Sequence, residues 1–409
     1  MNKNVVYIIG LLMMVTSCSD FLEPKSQSEF VPKNAVSLNE MLLGDAYPQP
    51  NVSSCYLFSL QTMLDDDICC SSLPYTAYQV AQLPGYNALY SWQPDMFYLM
   101  GEVNIFYNVW ESYYQFILGA NAALDYIDDM VGTYEEKAIV KAQSYALRAL
   151  YYFNLVNLFG EPYNHNKKAL GVPLKISSEL TSTLPARNTV EEVYTQIEKD
   201  LNEAEKFYLS LPESSQFSKN YRTSLPMVQL LKSRVYLHME RWSEAAEYAD
   251  KVISDWSFSL VDLNTLPAPT AKEPYYNFIS QDCSEVIWVF GKIDKFVNLV
   301  KQEMIFPDPY KPGQNLETNF FNASSGLLDA FKAGDLRKEN YIVRSPYTDS
   351  KDNQHLGGYA PYGKFAVNYA HEPISNTNFA HAFRLAEAYL NLAEAAALDK
   401  DEKTAKQAL

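Results

Sequence analysis

Residues 135–159 read EEKAIVKAQSYALRALYYFNLVNLF, and Gly160-Glu161-Pro162 follow at once. Ile139, Ala142, Tyr145, Ala146, Ala149, Phe153 and Val156 recur at steps of three or four, which places them on one face of an α-helix. Gly160 stands where a helix of this length stops. Residues 104–130 repeat the pattern, with Phe106, Trp110, Tyr113, Ile117, Ala120, Leu124 and Ile127 on one face and Asp128-Asp129 and Gly132 closing it. Two amphipathic stretches joined by so short a break predict an antiparallel helical hairpin.

Further hairpins follow. Residues 190–209 carry Val193, Ile197, Leu201, Ala204 and Tyr208 on a stripe, with Glu191, Glu192, Glu198 and Lys199 off it. Asn188-Thr189 before two glutamates is an N-cap region. Residues 224–239 place Pro226 in the first turn, and 243–256, 384–398 and 402–409 complete the helical set. Units of two short helices, about 30–40 residues each, are similar to tetratricopeptide-like repeats in degenerate form. The expected fold is therefore mainly α: a tetratricopeptide-like helix-pair scaffold, the last pair truncated, with few short strands. The pairs fall at about 104–160, 190–256 and 384–409. Residues 51–97 and 258–383 are rich in Pro, Gly, Asn and Tyr and read as loops, apart from a strand at 285–290. Residues 164–184 read as a loop with an extended piece at 171–176. Trp110, Trp242, Trp256 and Trp288 fall in helical or strand patterns and are assigned to the core.

Residues 1–17 stand apart from this fold. One charge, Lys3, precedes an apolar run from 5 to 15, and then come Thr16-Ser17-Cys18. The run is too short to cross a bilayer, which takes about 20 residues, and suits a secretory signal peptide. Val15-Thr16-Ser17-Cys18 resembles a bacterial lipobox, making Cys18 the lipidated first residue of the mature chain. Residues 18–50 then form a lipidated segment and linker, and 51–409 the folded domain. Of the other cysteines, Cys55 pairs with Cys69 or Cys70, or these and Cys283 are free buried thiols.

The chain carries 33 Lys+Arg against 49 Asp+Glu, a formal charge of −16, which offers no electrostatic footprint to nucleic acid or anionic lipid. With 47% hydrophobic and 20% charged residues it is a folding sequence rather than a disordered one. Its 31 Tyr outnumber 21 Phe and 5 Trp together, and a ring with a polar tip suits half-exposed packing and wet recognition surfaces.

Enzyme signatures are missing: no G-x-S-x-G elbow, H-E-x-x-H pair, Walker loop or G-x-G-x-x-G turn occurs. His165, His238, His355, His371 and His381 have no ligand spacing and read as surface or capping residues. Asp65-Asp66-Asp67 falls short of the six to eight oxygens of a calcium site and reads as a solvated turn. No metal, cofactor or catalytic residue is expected.

Several segments, in order, resemble the SusD/RagB family of outer-membrane nutrient-binding lipoproteins. They begin with Cys18-Ser19-Asp20-Phe21-Leu22-Glu23, similar to the acidic export tag of Bacteroidetes surface lipoproteins, then Asn39-Glu40-Met41-Leu42 and Gly44-Asp45-Ala46-Tyr47. Ala146-Leu147-Arg148-Ala149-Leu150-Tyr151-Tyr152-Phe153, ending Leu158-Phe159-Gly160-Glu161-Pro162, looks like the family's hallmark helix. Gly171-Val172-Pro173-Leu174, Arg187-Asn188-Thr189-Val190, Ser284-Glu285-Val286-Ile287-Trp288 and Arg384-Leu385-Ala386-Glu387-Ala388-Tyr389 continue the series. The resemblance implies a scaffold of about four tetratricopeptide-like pairs, the last one truncated, with a loop-rich part packed on it that holds the ligand. It also implies a lipid-anchored place on the cell surface, and a partnership with a SusC-like TonB-dependent transporter that receives oligosaccharide, or peptide in the RagB branch. Closing helices expected from it after Leu409 are absent, so the pattern reads as cut short. A tetratricopeptide scaffold for protein partners is the reading of a different class.

Sugar rings offer an apolar C–H face and a rim of hydroxyls, so a stacking aromatic beside an amide is the side-chain set to seek. Tyr75, Tyr78, Tyr90 and Trp92 in the first loop region, with Asn87 and Gln93 beside them, and Tyr275, Tyr276 and Tyr310 in the second, are the candidates. For each aromatic the alternative is packing of its loop against the scaffold.

Overall fold

A computed structural model describes residues 32–48, 91–102, 109–182, 184–268, 278–292, 321–342 and 379–409, with shorter pieces at 58, 64, 68–70, 84–85, 87–89, 270, 304–307, 315–318, 344–348 and 354–359. The fold is mainly α. In chain order its principal helices are α1 (Ala35–Asp45), α2 (Met96–Glu102), α3 (Val109–Tyr126), α4 (Tyr134–Phe159), α5 (Val190–Leu209), α6 (Leu225–His238), α7 (Trp242–Ser254), α8 (Leu385–Leu398) and α9 (Glu402–Ala408).

Local chemistry sets the boundaries. Thr133 caps α4 and Thr189 caps α5 by the same reciprocal device, each hydroxyl taking an amide from the glutamate three residues on while that glutamate returns to the cap amide. Pro226 occupies the first turn of α6, where its missing N–H costs nothing. Short turns fold α3 onto α4, α6 onto α7 and α8 onto α9, and each helix from α3 to α7 packs on its successor, with α8 then packing on α7. The central helix α4, between α3 and α5, is buried along most of its length, Tyr151 and Tyr152 included.

Three non-glycine residues among those described have positive φ: Trp92 at 54°, Glu240 at 56° and Lys400 at 66°. All occupy the same place. Glu240 N donates to Leu237 O at 2.9 Å and Arg241 N to Tyr236 O at 2.9 Å; Lys400 N donates to Ala397 O at 3.2 Å and Asp401 N to Ala396 O at 2.8 Å. This pair of bonds is a Schellman close, and the left-handed residue turns the chain from one helix of a hairpin into the next. Trp92 repeats it outside the hairpin series.

Polar stitches cross the apolar stack. Lys232, almost wholly enclosed on α6, donates to Asn202 Oδ1 at 2.7 Å, Tyr248 Oη at 3.0 Å and the Glu205 carboxylate. Burial pulls its ammonium pKa below the ordinary lysine value. Arg234 grips Glu387 of α8 with two bonds of 2.7 Å.

Strands come as two-stranded antiparallel pairs among the described residues. Val286–Lys292 pairs with Phe379–Arg384, and the latter runs straight into α8, which fastens the pair to the scaffold. Trp288 is fully buried there, donating from Nε1 to Tyr221 O at 2.7 Å and stacked on Phe290.

Several details differ from the sequence reading. Helix α1 lies in the stretch read as a linker, yet Leu38 and Leu42 are fully buried and α1 packs on α3 and α4. Within the loop at 164–184, Gly171 N and Asn188 N make one two-bond contact with Asn188 O and Val172 O. His381 is buried rather than at the surface, with its ring against Phe290, and burial lowers its pKa to about 3. His238 is exposed, as the sequence reading has it, with its ring edge-on to Phe153, and desolvation shifts its pKa downward. Cys283 is buried, as one alternative of the sequence reading has it.

Candidate functional site

The stretch leading into α2 is built around one turn. Ala88 and Leu89 are buried and anchor it. Ser91 N returns to Asn87 O at 2.9 Å, Trp92 N to Leu89 O at 3.1 Å and Gln93 N to Ala88 O at 2.8 Å. The last two bonds make the Schellman close, and Trp92 takes the left-handed position that glycine usually fills. A left-handed bulky residue costs roughly 1–2 kcal/mol, since its Cβ crowds the following carbonyl. Packing does not offset that cost, because the Trp92 side chain is largely in solvent, at 65% exposure.

The turn brings together Asn87, Trp92 and Gln93. All three are exposed. Gln93 Nε2 donates to Ser91 O at 3.2 Å, which orients its amide and leaves the amide oxygen as an acceptor. The Ser91 hydroxyl donates to Asn87 O. Past the turn, α2 seats Phe97 against Phe159, the last residue of α4, with ring centroids 5.0 Å apart, and Trp110 packs on the same ring at 4.9 Å. The turn is thus carried on a rigid end of the scaffold.

Tyr98 is the residue that the sequence reading missed. It is 67% exposed on α2, on the side away from buried Met100. Its signal was its place beside Phe97 on a short helix, where Phe97 takes the packed side and its neighbour, turned by about 100°, faces solvent. Trp110 and Trp242 pack partly buried against the core, as expected, and Trp288 lies within it. Trp256 lies just beyond the end of α7 and, as expected, also packs partly buried against the core. Tyr75, Tyr78, Tyr90, Tyr275, Tyr276 and Tyr310 lie outside the described residues, as do Asp65-Asp66-Asp67, Cys18 and Cys55.

Chemically the turn offers an open indole face and neutral hydrogen-bonding amides. That set stacks on and hydrogen-bonds to a neutral ring, and it holds no nucleophile paired with a base. Among the described residues no trio of His, Cys, Asp or Glu is grouped to hold a metal ion, and no helix is long and apolar enough to cross a membrane.

Comparison with known proteins bears on this site. A family model described as "Starch-binding associating with outer membrane" matches residues 20–237, and a second, described as "SusD family", matches 300–409. Among solved structures, a SusD superfamily protein from Bacteroides thetaiotaomicron VPI-5482 superposes with a TM-score of 0.66 at 20% identity, over 92% of this chain and 79% of that one. A SusD-like carbohydrate binding protein from Bacteroides vulgatus ATCC 8482 gives a TM-score of 0.64 at 21% identity, over 92% and 74%. A laminarin-binding SusD-like protein gives 0.54 at 21% identity, over 89% and 80%. At such identities these likenesses show the fold. No curated protein matches the sequence.

Proposed function

The chain belongs to the SusD family, and from that premise we propose that it is a cell-surface glycan-binding protein, anchored through a lipid on Cys18, which delivers oligosaccharide to a SusC-like TonB-dependent transporter in the outer membrane. It captures and hands on; it does not cleave.

The observation that carries this reading is Trp92. Trp92 holds the left-handed place that Glu240 and Lys400 hold at their hairpin turns, exposed and flanked by Asn87 and Gln93, and backbone strain collects where a side chain must be presented. An indole face covers the C–H side of a sugar ring, and the amides meet its hydroxyls. A neutral glycan also meets no repulsion from a chain of charge −16. Tyr75, Tyr78, Tyr90, Tyr275, Tyr276 and Tyr310 are further contacts in this proposal, and Tyr98 joins them.

Calorimetry of the chain against a panel of glycans and peptides tests it. Trp92→Ala should lose glycan binding while Trp110→Ala keeps it; equal loss in both contradicts the assignment of the turn. Binding of peptides alone selects the RagB-like alternative. Reducing ends released from polysaccharide by the purified chain overturn the non-enzymatic reading. Membrane fractionation unchanged by Cys18→Ala overturns the anchor.

A further inference from the structure

A concave surface lies elsewhere on the scaffold. A cleft of about 910 Å³ opens between the C-terminus of α5, the short turn Glu213–Gln216, the first turn of α6 and the residues just past α7. Its size falls within the range of small-molecule sites, about 300–1,000 Å³.

Three rings line it. Phe217 meets Trp256 at 5.9 Å and 65°, and Phe258 at 5.2 Å and 80°, so each ring braces the next edge to face. Gln229 lines the cleft from α6, 5% exposed. Its Oε1 accepts from Trp256 Nε1 at 2.8 Å, which fixes the indole, and among the described residues its two Nε2 donors have no partner. At the rim, Glu213 and Lys219 are exposed, and neither forms an ion pair among the described residues. Asp255 lines the cleft as well, so its charged side chains sum to −1 (Glu213 and Asp255 against Lys219), which disfavours an anion and leaves a neutral ligand unopposed. Braced aromatics, an amide with donors to spare and charged groups at the rim suit a ring with one apolar face and many hydroxyls.

The cleft is remote from the Trp92 turn. Phe97, five residues past Trp92, packs on Phe159, and the following Gly160 lies against Val190 at the start of α5. Leu209, at the other end of α5, lines the cleft. Twenty helical residues separate the two ends, about 30 Å.

We propose that this cleft is a second saccharide site, taking two or three rings of a neutral oligosaccharide, independent of the Trp92 turn. The inference rests on the carbohydrate-binding reading above. Two sites on one chain raise its avidity for a long glycan.

Fluorine NMR on the chain labelled with 5-fluorotryptophan tests it. Resonances are assigned by single Trp→Phe variants, and the probes are laminarihexaose, maltohexaose, xylohexaose and mannohexaose at millimolar concentration. At least one probe should shift the Trp256 resonance, the shift should persist in Trp92→Ala, and Glu213→Ala combined with Lys219→Ala should weaken it about threefold or more. A Trp256 resonance silent to all four probes overturns the second site, as does a shift that survives the rim variant unchanged. Trp92 responding while Trp256 stays silent fails the second site alone; Trp256 responding alone fails the Trp92 turn; silence of both fails the two readings together.

Discussion

Arg148 of α4 donates to both carboxylate oxygens of Asp200 on α5, from Nε to Oδ2 at 2.8 Å and from Nη2 to Oδ1 at 2.6 Å, with both side chains buried. Its Nη1 also donates to Asn121 Oδ1 on α3 at 2.8 Å, and Gln196 Nε2 donates to Asp200 at 2.8 Å. One guanidinium therefore registers three successive helices. Removing one partner of such a pair strands the other charge, at a cost of about 3–5 kcal/mol. Arg148→Met should lose that much in urea denaturation. Arg148→Met with Asp200→Leu should lose less than the single variant, because nothing charged is left buried; an equal or greater loss contradicts this account.

Two glycines separate space from propensity. A Cβ on Gly119 of α3 would come within 2.5 Å of Asp45 O, at the end of α1, whereas one on Gly44 would meet nothing within 4 Å. Gly44→Ala should stabilise the chain by about 0.5–1 kcal/mol through helix propensity. Gly119→Ala should destabilise it by about 1–3 kcal/mol, as α1 is pushed off α3. Thermal melts of the two variants should move in opposite directions.

His381 makes stability depend on pH. Its folded pKa, lowered by burial to about 3, lies below the unfolded value of about 6.5, so the unfolded chain binds the proton more readily. The stability is complete above pH 6.5 and falls as pH drops from there toward 3, by about 1.4 kcal/mol per unit. Denaturation of the chain and of His381→Phe across pH 7 to 4.5 should show the variant losing less over the interval. Parallel curves contradict the assignment.

Legibility followed the strength of local signals. Helix α5 begins and ends where the sequence reading puts it, because a capping box and a clean apolar stripe leave no freedom. Helix α1 escaped, since its buried face is only Ala35, Leu38 and Leu42, and its cap is Asn34 answered by Ser37 rather than by a glutamate. The Trp92 turn was legible in its residues but not in its conformation: a left-handed helix close is normally announced by glycine, and here tryptophan, glutamate and lysine take that place. Trp256 was assigned to the core because the helical period runs through it. The ring does pack on the core, but the backbone leaves α7 at Asp255 and brings it to the cleft wall as well, which only tertiary structure shows.

The central claim is that Trp92 is strained in order to be presented. Trp92→Gly separates the two roles, since glycine accepts the left-handed turn and has no ring. Paired denaturation and calorimetric titration of this variant, using a glycan that the unaltered chain binds, is the most direct test. Stability should rise by about 1 kcal/mol while affinity falls about tenfold or more. Unchanged affinity, or stability and affinity falling together, would contradict it.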